Sequence, residues 1–227
     1  MPYNIAILGA VWGDEGKGRI VHYMSPQFSW CVRMQGSCNA GHTIYRDGKK
    51  YIHNMIPSMD LRVPTIKGFI GLGTVVDLES LVGEVTRAQG DFPDTASRLY
   101  VDPDAFLILP EHKEKDKATN GHIGTTGKGV GPAYGDKALR KGFRIKDVIL
   151  GKETTQKPFY DQLVALGVHF KHVLELEDEF KNSNVLYEGA QGSLLDLNTG
   201  IYPYVSCGDS TVSGIYSGGF PSVKLDK

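Results

Sequence analysis

Apolar positions along this chain fall in short runs, broken by glycines and polar turns, with few long periodic blocks. Asn4-Ile-Ala-Ile-Leu-Gly9 is nearly all apolar and ends at a glycine, the pattern of a strand buried on both faces at the centre of a sheet. A glycine-rich turn follows, and Arg19 to Met24 begins a helix that Pro26 stops. Trp30 to Met34 reads as a second strand, and Ile44 to Met55, with Asp47-Gly48 between apolar and aromatic residues, as a β-hairpin. Lys67 to Val76 supplies a strand interrupted by glycines, Leu78 to Ala88 is helix-patterned, and Arg98 to Val101 and Phe106 to Leu109 are short strands. Glu111 to Lys117 is polar and charged, and Thr119 to Tyr134 holds five glycines and Pro132, a long loop of the kind that binds something. Between Phe159 and Phe180, Leu163, Val164, Leu166, Phe170, Val173 and Leu174 recur at roughly helical spacing, before Asn184 to Tyr187 returns to a buried strand. Strands alternating with helices predict an α/β fold: a mainly parallel central sheet, flanking helices and a phosphate loop after the first strand. No repeat or composition break divides the chain, so residues 1–227 are expected to form one domain.

Composition narrows the class. Of 227 residues 41% are apolar and 22% charged, which excludes disordered, collagenous and coiled-coil chains. Lys and Arg number 25 against 26 Asp and Glu, a net charge of −1, so nucleic acid and anionic membranes are not expected partners. The run from Ile5 to Val11 lacks a basic flank and leads straight into Gly13-Asp-Glu-Gly-Lys17, unlike a secretory signal. Cys31, Cys38 and Cys207 have no paired spacing, which argues against a disulfide framework or zinc ribbon and for a reducing cytoplasm. Glycine is the outlier, 28 residues or about 12% against an average near 7%.

Four segments concentrate chemistry. Gly13-Asp-Glu-Gly-Lys-Gly18 lies between a strand and a helix, where three glycines, a helix N-terminus and Lys17 make a phosphate cradle. It is not a Walker loop, because Val11 stands at the first glycine position and Gly18 at the hydroxyl position. An acidic pair inside such a loop repels phosphate unless a cation lies between them or a carboxylate moves protons, which makes Asp14 the leading catalytic candidate. A plain turn with solvated acids is the alternative. Asn39-Ala-Gly-His-Thr43 follows the second strand and sets His42 beside small residues, within reach of a phosphate. His22, His53, His112, His122, His169 and His172 have no such setting. Ile123 to Tyr134, with Thr125, Thr126, Lys128 and the following Asp136, Lys137 and Arg140, suits a monophosphate or, failing that, a flexible linker. In Glu188-Gly-Ala-Gln-Gly192, Gln191 both donates and accepts, which fits a base edge carrying a carbonyl and a ring N–H, or else an internal amide pair.

Together these segments resemble the adenylosuccinate synthetase family. The likeness rests on Trp12-Gly-Asp-Glu-Gly-Lys-Gly18, Asn39-Ala-Gly-His-Thr43, Gly124-Thr-Thr-Gly-Lys-Gly-Val-Gly-Pro-Ala-Tyr134, Glu188-Gly-Ala-Gln-Gly192 and Tyr202-Pro-Tyr-Val205, in the family's order. It runs from residue 4 to about residue 214 and fades between Leu150 and Asn182. The resemblance implies a ligase that joins L-aspartate to IMP with GTP and Mg²⁺ through a 6-phosphoryl-IMP intermediate. Asp14 would then be the general base and a magnesium ligand, His42 the general acid, and Gly41 a second magnesium ligand through its carbonyl. Gly13, Asp14, Glu15, Gly16, Lys17, Gly18, Arg19, Gly41, His42 and Thr43 would hold the GTP phosphates. Asn39, Thr126, Arg140, Gln191 and Ser206 would bind IMP, with Arg140 arriving from the second subunit of a homodimer.

The likeness is incomplete. Members continue into an arginine-rich loop that holds aspartate and a Lys-Leu-Asp segment that reads guanine, whereas the last arginine here is Arg144. Lys224-Leu225-Asp226 echoes the latter but follows Ser206 too soon. Val11, Ser206 and Lys128 replace the usual glutamine, threonine and arginine. A C-terminally shortened chain also fits the phage relatives that join aspartate to dGMP, with ATP as a possible donor, or a non-catalytic nucleotide-binding module.

Overall fold

A sheet of six parallel strands organises the chain, and the computed structural model describes residues 2–46, 48–119, 124–220 and 223–226. The strands are β1 (Asn4–Ile7), β2 (Trp30–Arg33), β5 (Lys67–Ile70), β7 (Leu99–Val101), β9 (His169–Phe170) and β10 (Val185–Glu188), in the order β1-β10-β2-β5-β7-β9. A hairpin of β3 (His42–Arg46) and β4 (Lys49–His53) and a small parallel pair of β6 (Val75–Val76) and β8 (Phe106–Leu107) stand apart from it. The flanking helices are α1 (Lys17–Met24), α2 (Leu78–Asp91), α3 (Pro110–Thr119), α4 (Val130–Ala138), α5 (Ile145–Ile149), α6 (Lys157–Leu166), α7 (Glu177–Lys181) and α8 (Ser213–Ser217). This is the α/β arrangement that the alternating apolar runs predict. No described helix is long and apolar enough to cross a membrane.

The sheet is covered on both faces, and its strands sort their side chains accordingly. Trp30 and Val32 of β2 join Val185 and Tyr187 of β10 in one core layer with Phe69, Phe180 and Phe220, while Cys31 and Leu186 face Val21, Met59 and Ile66 on the other side. A third apolar cluster joins Leu78, Leu81 and Val85 of α2 to Leu99, Leu107, Ile145 and Leu163. In the first layer Phe69 is fully buried, with ring centroids 6.5, 5.4 and 5.9 Å from Trp30, Phe180 and Phe220.

Several expectations are corrected. β1 lies at the edge of the sheet and is half-buried throughout, because β10, last in the chain, inserts between it and β2. Helices cover both faces of a parallel sheet at its edges as well as its centre, so the apolar run alone does not place a strand. Lys67 to Val76 is two strands in different sheets, joined by a turn in which the Thr74 N–H donates to the Gly71 carbonyl at 3.0 Å. The apolar spacing from Phe159 to Phe180 is not one helix: Gly167, at φ 102°, ends α6 with its N–H on the Leu163 and Val164 carbonyls, and the chain then forms β9, a single turn and α7. The polar stretch after Pro110, to which the sequence pattern assigns no element, is helix α3, opened by proline at a position that needs no N–H donor. The second half of the glycine-rich segment is helix α4, which leaves 124–129 as described loop; Gly121, His122 and Ile123 lie outside the described residues, as does Asp47 of the hairpin turn.

β1, β10 and β2 run parallel, so the loops that leave their C-terminal ends gather at one edge. Truncating the neighbouring core tests this packing: Phe69→Ala is expected to cost about 3–5 kcal/mol by urea denaturation. A loss below about 1 kcal/mol would mean that the aromatic layer does not hold the sheet.

Candidate active site

The phosphate loop folds by a run of left-handed residues. Gly13, Asp14 and Gly16 have φ of 87°, 58° and 86°, a conformation that aspartate tolerates better than most side chains. Gly16 is the N-cap of α1, and Lys17, the first helical residue, is 5% exposed. Glu15 turns back into its own loop and does not line the cleft. Its Oε1 accepts N–H bonds from Val11 and Gly13 at 2.9 and 3.1 Å, and its Oε2 lies 3.1 Å from Lys17 Nζ. Partial burial pushes the Glu15 carboxyl up, but those N–H groups and Lys17 together hold it at about 2.

Some glycines here serve packing. A Cβ on Gly192 would stand 2.3 Å from the Val11 carbonyl oxygen, so the turn after β10 and the phosphate loop touch backbone to backbone. A Cβ on Gly18 would lie 2.5 Å from His42 Cβ, which brings the first turn of α1 against the histidine.

His42 is fixed by a buried charge cluster. Arg33 ends β2 and Glu188 ends β10, and the two residues are register partners. Glu188 is fully buried; its Oε1 contacts His42 Nδ1 and lies 3.3 Å from Arg33 Nη1. The Ser58 hydroxyl donates to Oε1 at 2.6 Å and the Ser58 N–H to Oε2 at 2.7 Å. Burial pushes the Glu188 carboxyl up, yet His42, Arg33 and Ser58 hold it well below the usual carboxylate range. A carboxylate only accepts, so the Glu188 contact assigns a proton to His42 Nδ1 and leaves Nε2 for other partners, while Arg33 Nη1, 3.0 Å from the same nitrogen, has Glu188 as its acceptor. Residue-by-residue reading passes over Arg33, Ser58 and Glu188. The available signal was a pair of opposite charges closing two otherwise apolar strands, Trp-Cys-Val-Arg33 and Val-Leu-Tyr-Glu188.

Asp14 and His42 line one cleft of roughly 460 Å³, with Gly13, Gly16 to Arg19, Asn39, Gly41, Thr43 and Gln191 around it and Trp12 and Tyr45 among its walls. The Asp14 side chain is exposed and makes no hydrogen bond or ion pair among the described residues. Asn39 Oδ1 and Gln191 Oε1 are buried acceptors without a donor among the described residues. A carboxylate and a backbone carbonyl are hard oxygen donors, so Asp14 and Gly41 fit Mg²⁺ by donor chemistry. Thr126 and Arg140 are exposed and Ser206 is half-buried, and none of the three lines the cleft. Thr125 donates to Asp116 Oδ1 at 2.8 Å, and Lys128 Nζ donates to the Cys38 carbonyl at 2.8 Å, which ties the 124–129 loop to the cleft's edge. The Lys224-Leu225-Asp226 run is far from this cleft. It bonds Asn4 at the opposite end of β1 from the phosphate loop, with Asp226 N–H on the Asn4 carbonyl at 2.8 Å. Asp102, Asp104 and His172 also converge within 4.8 Å of one another, but Asp104 pairs with Lys146 and Arg144, and Asp102 accepts two backbone N–H bonds.

A glycine-rich loop after a parallel strand, facing a histidine clamped by a buried carboxylate, defines an α/β protein with a cleft at the C-terminal ends of its strands. The sequence model for adenylosuccinate synthetase matches residues 6–174 and 157–227, and the chain belongs to that family. The adenylosuccinate synthetase of Petrotoga mobilis is 39% identical over 99% of this chain and 61% of its own length. Fully ligated adenylosuccinate synthetase from Plasmodium falciparum superposes with a TM-score of 0.85 at 30% identity, covering 97% of this chain and 58% of that one. The succinoaminodeoxyadenylate synthetase of cyanophage S-2L, bound to dGMP and dATP, shares the fold with a TM-score of 0.79 at 24% identity, over 96% of this chain and 60% of that one. The chain spans about three-fifths of the length of the curated relatives it matches. The two matched segments overlap at 157–174, inside the stretch where the motif resemblance fades.

Glu188→Gln is expected to destabilise the fold by about 3–5 kcal/mol in chemical denaturation, because it leaves Arg33 buried without its counter-charge. The Glu15 carboxyl is depressed on folding, so its stabilisation is present above pH 4.5 and is lost as pH falls toward about 2. Glu15→Gln is therefore expected to flatten the stability curve across that acid window. An unchanged slope would show that the loop amides do not depend on this carboxylate.

Proposed function

We propose that this chain carries the purine-phosphorylating and ligating chemistry of its family, joining L-aspartate to IMP with GTP as phosphoryl donor. The observation that carries the reading is the placement of Asp14 and His42 on one cleft, the carboxylate without a partner among the described residues and the imidazole held by Glu188. Asp14 removes the N1 proton of the purine, which raises the nucleophilicity of the 6-oxygen toward the γ-phosphorus. Phosphorylation converts that oxygen into a leaving group, and the aspartate amine then displaces phosphate at C6. His42, protonated on Nε2 and backed by Glu188, donates to the moving phosphoryl group, while Lys17 and the loop amides meet its charge. Mg²⁺, held by Asp14 and the Gly41 carbonyl, supplies further neutralisation of phosphate charge when bound.

Gly13, Gly16, Lys17, Gly18, Arg19 and Thr43 are assigned to the triphosphate, and Glu15 contributes by shaping the loop. Asn39 and Gln191 are assigned to the monophosphate nucleotide, which their buried acceptors, without a donor among the described residues, support. Thr126 and Ser206 join them in this reading as the loops close on the nucleotide. Arg140 is exposed at φ 60° and does not line its own chain's cleft, which supports a homodimer in which it reaches the partner's site. Residues 1–227 act as one nucleotide-binding domain in this reading, and three free thiols support a reducing cytoplasm. The phage-type use of dGMP, whose purine carries the same N1 proton and 6-oxygen, rests on fold alone, and the sequence-level likeness to adenylosuccinate synthetases favours IMP.

Incubation with IMP, GTP, L-aspartate and Mg²⁺, followed by mass spectrometry, is expected to yield GDP, phosphate and the succinyl nucleotide. Product from dGMP in place of IMP would reassign the substrate, and product from neither would leave a nucleotide-binding module. Asp14→Asn is expected to lower turnover by about 10²–10⁴-fold with nucleotide binding retained. Mixing Asp14→Asn with Arg140→Leu tests the trans arrangement, since a mixed dimer then holds one intact site; no recovery of activity would argue against it.

A further inference from the structure

The backbone that presents His42 is held from behind by a chain of hydrogen bonds that begins on helix α2. Glu84 is 4% exposed and has no cationic side chain bonded to it among the described residues; its carboxylate instead gathers three successive backbone N–H groups of the segment after β4. Oε1 accepts from Asn54 at 2.8 Å and Ile56 at 3.2 Å, and Oε2 from Met55 at 2.9 Å. Burial pushes the Glu84 carboxyl up despite these bonds. A residue that only packed against this segment would not need a carboxyl there, whereas three converging amides orient the Asn54 peptide firmly.

Asn54 then makes two bonds toward the cleft. Its carbonyl accepts from Arg33 Nη2 at 3.1 Å, and its side-chain Nδ2 donates to the Ala40 carbonyl at 2.5 Å. Arg33 is the cation that faces His42 and Glu188, with Nη1 3.0 Å from His42 Nδ1. Ala40 precedes Gly41 and His42 directly, so fixing its carbonyl fixes the peptide that leads into both. One asparagine thus steadies the charge beside the imidazole and the backbone that carries it.

We propose that Asn54, anchored by Glu84, is a positioning residue for His42 and for the peptide entering Gly41. The inference rests on the reading of His42 as the group that meets the transferred phosphoryl. A displacement near 1 Å in such a group lowers rate by roughly 10²-fold without weakening ground-state binding.

Asn54→Ala tests this in the full chain, with Glu84→Gln as a second variant that disturbs the anchor. Both are expected to shift the ring ¹⁵N and ¹H resonances of His42 while leaving those of His112, which bonds Leu109 and Asp136, in place. Asn54→Ala is expected to reduce kcat by about 10–100-fold with KM for IMP changed less than about twofold. His42 resonances that stay in place in both variants overturn the proposal, and so does a loss of activity confined to KM. If the unaltered chain turns over neither nucleotide, the functional reading falls, and the ring resonances still decide for or against the relay.

Discussion

The contact between Glu188 and the pair Arg33 and His42 is the constraint on which the site depends. Glu188 and Arg33 are brought together by strand register, one at the end of β10 and one at the end of β2, and neither is reached by solvent. An isolated carboxylate in that position would be too costly to keep ionised, so the cation, the imidazole and the two Ser58 donors form one unit. Through that unit the parallel sheet, built from apolar runs, sets the orientation of an imidazole that belongs to a different element, the start of β3.

A second constraint is the closeness of the loops at the sheet's edge. Gly192 meets the Val11 carbonyl and Gly18 meets His42, so side chains larger than hydrogen would push these segments apart. Glu15 completes the arrangement from inside by bonding the Val11 and Gly13 N–H groups. The glycines of the phosphate loop therefore have divided duties: Gly13 and Gly16 supply left-handed backbone, and Gly18 makes room for the histidine. From the sequence alone all three read as phosphate-cradling residues.

Local signals made much of this legible. Asp47-Gly48 between apolar and aromatic residues marked the hairpin, and the buried strands at residues 30–33 and 185–188 stand where short apolar runs place them. Asp14, His42 and Gln191, read from glycine-flanked motifs after strands, line one cleft together with Asn39 and Gly41, which the family resemblance adds. The errors came where one pattern serves two structures. Apolar spacing from Phe159 to Phe180 suits a helix until Gly167 reverses the backbone, and the glycine-rich stretch from Thr119 to Tyr134 suits a loop although from Val130 onward it is helix α4.

What the sequence by itself determined was the set of local choices: apolar runs for strands, glycines for left-handed turns, and a carboxylate and a histidine beside phosphate-loop amides. Those choices depend on neighbours a few residues away. Tertiary structure alone decided that β1 is an edge strand, that Glu15 faces its own loop while Asp14 faces the cleft, and that Glu188 holds His42 across 146 residues of chain. The physical reason is that strand order and charge pairing are settled by contacts between segments remote in sequence, where burial makes an unpaired charge costly and leaves few arrangements that satisfy it.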